Sequence, residues 1–242
     1  MAFPFTHLCV GYELLRANTM SEEDGALFLL GNIAPDAIHF REPFIGSDMK
    51  HIGPAKKVTH LCPVNNEVWG SVTDNEGWIQ QVRSFLDECP IDPLRLGYAS
   101  HVLTDILNNM TLWNSFRTKF PEEAAKGYTS DYYTDMGEIH IRLYSKMPYT
   151  EDIMGLLKKS NVTSDIYRKG ELLVSVSEME RIKHNLAYEN FKNAEKDITP
   201  NYNYSFVTFD DMLEYIEDTV KFIKSFIISY PMGTTSASPL KQ

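Results

Sequence analysis

The stretch Asp92-Pro-Leu-Arg-Leu-Gly-Tyr-Ala-Ser-His101-Val-Leu-Thr-Asp105-Ile-Leu-Asn-Asn109 predicts one helix that carries a histidine and an aspartate four residues apart. A period of 3.6 residues places His101 and Asp105 on the same face of that helix. Asp92 is a suitable N-cap, and Pro93 suits the first helical position. The helix also has a large apolar surface to bury, made of Leu96, Val102, Leu103, Ile106 and Leu107. We therefore expect His101 and Asp105 to point into the protein.

The pair formed by His101 and Asp105 has two interpretations. An imidazole and a carboxylate on one helix face are suitable metal ligands. The same two side chains also occur as a hydrogen-bonded couple inside a protein core. The helix alone does not separate these interpretations, so the decision depends on the rest of the chain.

The composition is that of an ordinary globular protein. Of the 242 residues, 43% are hydrophobic and 23% are charged. The longest apolar runs fall short of the about 20 residues that cross a bilayer. The amino terminus has no basic segment followed by a long apolar one, which predicts no secretory signal and a cytoplasmic location. The net charge of −10 disfavours nucleic acid and anionic lipid surfaces, so an anionic substrate needs local cations, either bound metal or a basic rim.

The cysteines indicate reduced thiols. Cys9, Cys62 and Cys89 are odd in number and lack a metal-binding spacing, which argues against a disulfide framework. Cys62 lies two residues from His60, and we interpret it as a core residue rather than a ligand.

Apolar periodicity predicts helices along most of the chain. They cover 6–15 with Thr6 as the cap, a segment beginning at Ser21, 74–88, 92–109, 129–147, 149–159, 175–193 and 209–229. The stretch 39–58 lacks periodicity and predicts a loop, and 203–207 is a weak strand candidate. Together, these segments predict an all-α, single-domain multi-helix bundle of about seven to ten helices over residues 1–230. The small, polar tail 231–242 is expected to be disordered.

Three further polar residues at inward-facing positions have the chemistry of metal ligands. They are His7 in Phe5-Thr-His7, Asp36 in Leu30-Gly-Asn-Ile-Ala-Pro-Asp36 and His60 in Lys57-Val-Thr-His60. Neutral imidazole and carboxylate suit zinc, with manganese or iron as alternatives, and no soft thiolate is needed.

Together with Gly97-Tyr-Ala-Ser-His101-Val-Leu-Thr-Asp105, these motifs resemble in order those of the zinc-dependent phospholipase C family. The resemblance covers residues 3–110. It implies the all-helical fold that this family shares with single-strand-specific nucleases, and zinc as the cofactor. It also implies that His7, Asp36, His60 and His101 are metal ligands and that Asp105 bridges two metal ions.

The sequence departs from the family's pattern after Asp105. Extracellular members carry a further histidine there, whereas this chain has Asn108 and Asn109, and amides are poor zinc ligands. The family's remaining ligands come from a later helix. The candidates for these ligands are Asp131, Asp135, Glu138 and His140. The alternative interpretation of these residues is a solvated acidic helix face. We therefore expect one or two metal ions rather than three.

Other basic residues have no motif. Four cations flank the expected mouth of the site and either steady a phosphate group or are merely solvated: Arg41, Lys50, Lys56 and Lys57. The remaining histidines, expected to be exposed or hydrogen-bonded, are His39, His51 and His184.

We weigh three functional hypotheses, of which the third fits least well. The first is a metal-dependent phosphodiesterase, in which metal-activated water attacks a small phosphoester or a phospholipid headgroup and Asp36 is either a ligand or a general base. The second is a non-catalytic protein that keeps the fold and a metal ion for stability or binding. The third, a His-Asp phosphohydrolase, requires an adjacent His-Asp pair, which this chain lacks.

Overall fold

The computed structural model describes residues 3–18, 20–42, 44–47, 49–63, 72–88, 90, 92–190 and 198–227. Within these ranges the chain is mostly helical, which confirms the predicted class. The helices are α1 (Pro4–Arg16), α2 (Glu22–Gly31), α3 (Met49–Thr59), α4 (Asn75–Asp87), α5 (Pro93–Met110), α6 (Leu112–Lys119), α7 (Pro121–Ala125), α8 (Asp131–Lys146), α9 (Thr150–Lys159), α10 (Val176–His184) and α11 (Phe209–Ile227). The strands are β1 (Ile166–Arg168) and β2 (Glu171–Val174). Cys89 and the predicted tail 231–242 lie outside the described residues.

The described helices number eleven, above the expected range, because α3, α6 and α7 were not predicted. Two short 3-10 helices, Ala34–Phe40 and Gly127–Thr129, and a π-helical turn, Asn185–Asn190, accompany them. The extra helices are short or contain proline, so apolar periodicity does not reveal them.

Helix α5 is the central element, and α1, α2, α4 and α11 pack around it. Its N-cap is Asp92, whose carboxylate accepts a hydrogen bond from the backbone N–H of Arg95 at 2.8 Å. The predicted apolar face is buried, except for Leu107, which is half-buried. His101 and Asp105 are 0% and 1% exposed, so both point inward as expected.

Two glycines allow α2 and α5 to pack with their backbones in contact. A β-carbon on Gly97 would lie 2.0 Å from the carbonyl oxygen of Phe28, and one on Gly31 would lie 2.2 Å from that of Leu94. No larger side chain fits at either position without separating the helices. This contact places the end of α2, and therefore Asn32, beside His101.

The first helix begins earlier than predicted. Helix α1 starts at Pro4, with Phe3 as a cap that makes no side-chain hydrogen bond, so the prediction of Thr6 as the cap is wrong. Proline suits the first turn because it lacks the N–H that would be unpaired there. Ser21 and Asp74 do cap α2 and α4 through their side-chain oxygens.

The predicted loop over 39–58 is wrong at both ends, and among its described middle residues 41–42 and 44–46 are turns and bends. The 3-10 helix Ala34–Phe40 runs into this stretch, and α3 occupies its second half. Gly53 and Pro54 are loop signals, yet Pro54 lies inside α3, where it removes one backbone donor. The helix forms in spite of that loss, with Ile52 buried and Lys56 hydrogen-bonded to Asp36. Tertiary packing here outweighs local propensity.

The strands lie elsewhere than expected. The segment 203–207 forms no strand, and its backbone amides at Ser205, Phe206 and Val207 instead donate to the carboxylate of Asp135. The hairpin β1–β2 was not predicted. Its turn contains Lys169 and Gly170, both with positive φ (48° and 79°), as tight hairpin turns require.

The carboxy-terminal helices follow the predicted pattern. Ser175 caps α10 with a reciprocal capping box to Glu178, and α11 buries the predicted stripe that includes Met212, Ile216 and Ile223. Residues 191–193 and 228–229 of the predicted helices lie outside the described ranges. Of the helices that the structure describes, none combines the length and the apolar character that crossing a membrane requires.

Candidate metal centre

The structure brings the five predicted ligands together around α5. His7 comes from the first turn of α1, Asp36 from the first turn of the 3-10 helix, and His60 directly follows α3. His101 and Asp105 come from the middle of α5. All five are buried, and the most exposed of them is Asp36 at 6%. Five polar side chains from four separate segments therefore share one interior position.

Nε2 of His60 lies close to three other candidate ligand atoms, one each from His101, Asp36 and Asp105. Nε2 of His60 lies 3.2 Å from Nε2 of His101, 3.3 Å from Oδ1 of Asp36 and 3.6 Å from Oδ2 of Asp105. Nε2 of His101 lies 3.8 Å from the same Asp105 oxygen. Two ligands on one tetrahedral zinc ion, each bonded at about 2.0–2.1 Å, are about 3.3 Å apart. The separations of His60 from His101 and Asp36 match ligands that share an ion, and those from Asp105 are longer. We call these four residues the Oδ2 cluster.

The tautomers of His60 and His101 follow from their second partners. Nδ1 of His101 lies 2.8 Å from the carbonyl oxygen of Asn32, and Nδ1 of His60 lies 3.0 Å from that of Lys56. A carbonyl oxygen only accepts, so each Nδ1 donates in these hydrogen bonds, and the Thr59 hydroxyl, 3.0 Å from Nδ1 of His60, donates to the same Lys56 carbonyl oxygen. In a ring that is protonated at Nδ1 alone, Nε2 is a lone-pair acceptor. Two such lone pairs at 3.2 Å repel each other, and a cation bound between them removes the repulsion.

His7 lies on the other oxygen of Asp105. Its Nε2 is 3.7 Å from Oδ1 of Asp105, and its ring stacks on that of His101 with centroids 3.6 Å apart and planes 9° apart. Lone pairs of stacked, parallel rings lie in parallel planes and do not converge on one point. His7 and His101 therefore lie nearest to different oxygens of Asp105, although the three residues together also form one group that can hold a metal ion.

His7 differs from His60 and His101 in its hydrogen bonding. Among the described residues, neither Nδ1 nor Nε2 of His7 has a hydrogen-bond partner, although both atoms are buried. An unpaired buried polar group is costly, and few occur in folded proteins. A metal ion at Oδ1 of Asp105 would give His7 its missing partner.

Lys56 lies inside the centre rather than at its mouth. Its ammonium donates to Oδ1 of Asp36 at 2.7 Å and lies 3.3 Å from Nε2 of His39, and the residue is 6% exposed. The interpretation of Lys56 as a solvated loop cation is therefore wrong. Arg41 pairs with Glu178 at 2.5 Å, away from the ligands, Lys57 is half-buried, and the side chain of Lys50 lies outside the described residues.

The electrostatics favour the protonation states that metal ligands need at His7, His60 and Asp36, whereas burial opposes the ionised form of Asp105. Burial lowers the pKa of His7 well below its usual value, and the neighbouring His101 lowers it further. Burial and the charge of Lys56 lower the pKa of His60 to about 3. Burial alone would raise the pKa of Asp36, but the Lys56 ammonium and His60 hold it well below its usual range. Burial raises the pKa of Asp105, against the opposing effect of His101.

The later-helix candidates have other contacts. Asp135 accepts from three backbone amides and from the hydroxyl of Tyr202, and Glu138 pairs with Arg142 at 2.8 Å. Asp131 is exposed, and His140 packs on aromatic rings. The two groups of acidic, histidine or cysteine side chains that can hold a metal within the described ranges are His7, His101 and Asp105, and Asp36, His60 and His101. None of the four α8 side chains belongs to either group.

The two asparagines after Asp105 differ in their surroundings. Asn109 donates to the carbonyl oxygen of Val72 at 2.9 Å and to Oδ1 of Asn75 at 2.7 Å, so it fastens the chain that enters α4. Both side-chain polar atoms of Asn108 are buried and have no hydrogen-bond partner among the described residues. The structure gives Asn109 a structural role.

Two tyrosines near the centre have no sequence signature. The rings of Tyr128 and Tyr133 lie 4.5 Å apart, and Tyr128 is 49% exposed. Partial burial raises the pKa of Tyr128, and the carboxylates of Asp36 and Asp105 raise it further. Tyr128 is thus an exposed tyrosine that senses the charge of the centre. A single sequence contains no periodicity or motif that marks it.

The comparisons with known proteins add no family. No family model, curated protein or solved structure matches this chain.

Proposed function

We propose that this protein is a metal-dependent phosphodiesterase of the phospholipase C type. The observation that carries the proposal is the approach of Nε2 of His60 to Nε2 of His101 at 3.2 Å, with carboxylate oxygens of Asp36 and Asp105 beside them. That set of donors suits zinc, with manganese or iron as alternatives. When bound at such a centre, divalent ions polarise a phosphoryl oxygen and lower the pKa of a water molecule.

The candidate ligands form two overlapping sets. Asp36, His60 and His101 form one set of three candidate ligands, and His7, His101 and Asp105 form another. These two sets, which share His101, support one or two bound ions. This arrangement agrees with the expectation of one or two ions and with the bridging role that the family resemblance implies for Asp105.

The surroundings of Asp36 favour a ligand over a general base. Its carboxylate is held ionised by Lys56 at 2.7 Å, and the low pKa that results makes it a weak base. An ionised carboxylate held in place is well suited to a metal. Asp36 is therefore proposed as a ligand on the Oδ2 side.

The proposed substrate is a small phosphoester or a phospholipid headgroup. The chain has a net charge of −10, so the attraction for a phosphate has to come from local cations. In this proposal, bound metal ions provide that attraction. Tyr128 and Tyr133, whose rings contact each other and whose pKa values are raised by burial and by the charge of Asp105, are candidates to contact the remainder of the substrate.

The test is hydrolysis of bis(4-nitrophenyl) phosphate by the zinc-loaded protein, compared with the variants His101→Ala and His184→Ala. His184 is exposed and is not one of the five candidate ligands, so it is the matched control. We expect His101→Ala to lose at least about 100-fold in kcat/KM and His184→Ala to keep the wild-type value. Full activity in His101→Ala, or no hydrolysis by the wild type, would contradict the proposal.

One observation favours a second candidate, a non-catalytic metal-stabilised binding protein. The five ligands are at most 6% exposed, and a lysine already neutralises one of them. A closed, saturated centre is typical of structural rather than catalytic metal sites. One chelator-resistant ion per chain, a large loss of melting temperature on its removal and no hydrolysis would favour this function.

A further inference from the structure

The ammonium of Lys56 and a candidate metal ligand share one carboxylate oxygen. Oδ1 of Asp36 lies 2.7 Å from Nζ of Lys56 and 3.3 Å from Nε2 of His60. His39 accepts from the same ammonium across 3.3 Å, because burial and the charge of Lys56 lower the pKa of His39 and keep its ring neutral. The centre therefore contains a buried lysine ammonium next to the position that the metal ion would occupy.

Lys56 reaches the Oδ2 cluster in two separate ways. Its side chain holds Asp36, and its backbone carbonyl accepts from Nδ1 of His60, four residues later, at 3.0 Å. The backbone contact is independent of the side chain. A substitution at Lys56 therefore removes the ammonium and leaves the orientation of His60 in place.

We propose that Lys56 competes with the metal ion for Asp36 and so weakens metal binding at the Oδ2 cluster. This inference rests on the metal site of the proposed function. Two positive charges on the same carboxylate repel each other, and buried charges are screened little by salt. Lys56 is a positioning residue that keeps Asp36 ionised and in place while no metal is bound. Its charge weakens the binding of the ion. The ion therefore exchanges more easily than it would if only the four donors were present.

The sign of the effect separates this role from a structural one. If Lys56 only supported the fold, its removal would loosen Asp36 and weaken metal binding. If its charge competes with the metal, its removal strengthens metal binding. The experiment is a zinc titration of the metal-stripped full chain against a chromogenic chelator, for the wild type, Lys56→Met and Lys57→Met. Lys57 is the control because it is the adjacent, half-buried lysine of α3.

We expect Lys56→Met to bind its first zinc ion at least about tenfold more tightly than the wild type, and Lys57→Met to change affinity less than about threefold. Lys56→Arg, which keeps the charge, should retain the wild-type affinity or bind more weakly. If Lys56→Met does not give the helical circular dichroism of the wild type, Lys56→Gln replaces it. Unchanged or weaker binding without the ammonium would overturn the inference alone. No zinc binding by any of the proteins would overturn the proposed metal site as well.

Discussion

Nε2 of His60 and Nε2 of His101 lie 3.2 Å apart, and each belongs to a ring whose proton is used elsewhere. Burial lowers the pKa of His60 to about 3, which disfavours a second proton on that ring. We propose that a metal cation binds between the two nitrogens.

The first prediction concerns the division of ligands between the two oxygens of Asp105. His7→Ala removes the nitrogen on the Oδ1 side and leaves the four donors of the Oδ2 cluster. We expect this variant to lose the weaker ion and keep the stronger one, with little change in the affinity for the first zinc equivalent. Isothermal titration with zinc measures both. A loss of the tight site in His7→Ala would mean that His7 and the Oδ2 cluster hold the same ion.

The second prediction concerns the contact between α2 and α5. Gly97→Ala places a β-carbon where it would lie 2.0 Å from the carbonyl oxygen of Phe28, so the helices have to separate. We expect the free energy of unfolding to fall by about 2 kcal/mol or more. Urea denaturation of the metal-stripped protein measures it. Gly155→Ala in α9 is the matched control, since a β-carbon there meets no atom within 4 Å and alanine is the better helix former. Equal effects of the two substitutions would show that α2 and α5 do not pack this closely.

The third prediction is a pH dependence of stability that comes from His140. Burial lowers the pKa of His140 to about 4, and its ring packs on Phe3 and Tyr144. The unfolded chain takes up this proton near pH 6.5 and the folded chain only near pH 4, so the unfolded state binds more protons between these values. The contribution of His140 is therefore fully present above about pH 6.5 and is lost as the pH falls towards 4.

Because His140 is half-buried, we expect it to account for about 1–3 kcal/mol of the loss of unfolding free energy between pH 7 and pH 4. Urea denaturation across this range, with chelator present, should give a shallower pH dependence for His140→Phe than for the wild type. His184→Gln, which replaces an exposed histidine, should follow the wild type. Identical slopes for wild type and His140→Phe would show that His140 titrates normally in the fold.

Helix periodicity and capping residues are sufficient to predict much of this fold. Asp92, Ser21 and Asp74 each accept the hydrogen bond expected of a cap, and α5 buries the apolar face that its sequence indicates. These are local effects, in which a residue acts on neighbours within four positions. The meeting of His7, Asp36 and His60 beside α5 is not local. The order of the motifs indicated it, and periodicity alone does not.

The features that the sequence does not reveal depend on distant partners. Lys56 resembles a loop cation until Asp36 and His39 are placed around it. Asp135 resembles a solvated acid on a helix face until the amides of Ser205 and Phe206 meet it, about 70 positions later in the chain. Only the folded chain supplies those partners, so residue type and spacing cannot distinguish a buried ion pair from an exposed charge.

The most direct test of the account is the metal content of the wild type and of Asp105→Ala, each purified without an affinity column that carries metal. Asp105 is the residue whose two oxygens face both proposed positions. Inductively coupled plasma mass spectrometry should find one or two zinc, manganese or iron ions per wild-type chain and at most a trace in Asp105→Ala. A folded wild-type protein without these metals, even after incubation with zinc, or an Asp105→Ala variant with the full metal content, would contradict the account.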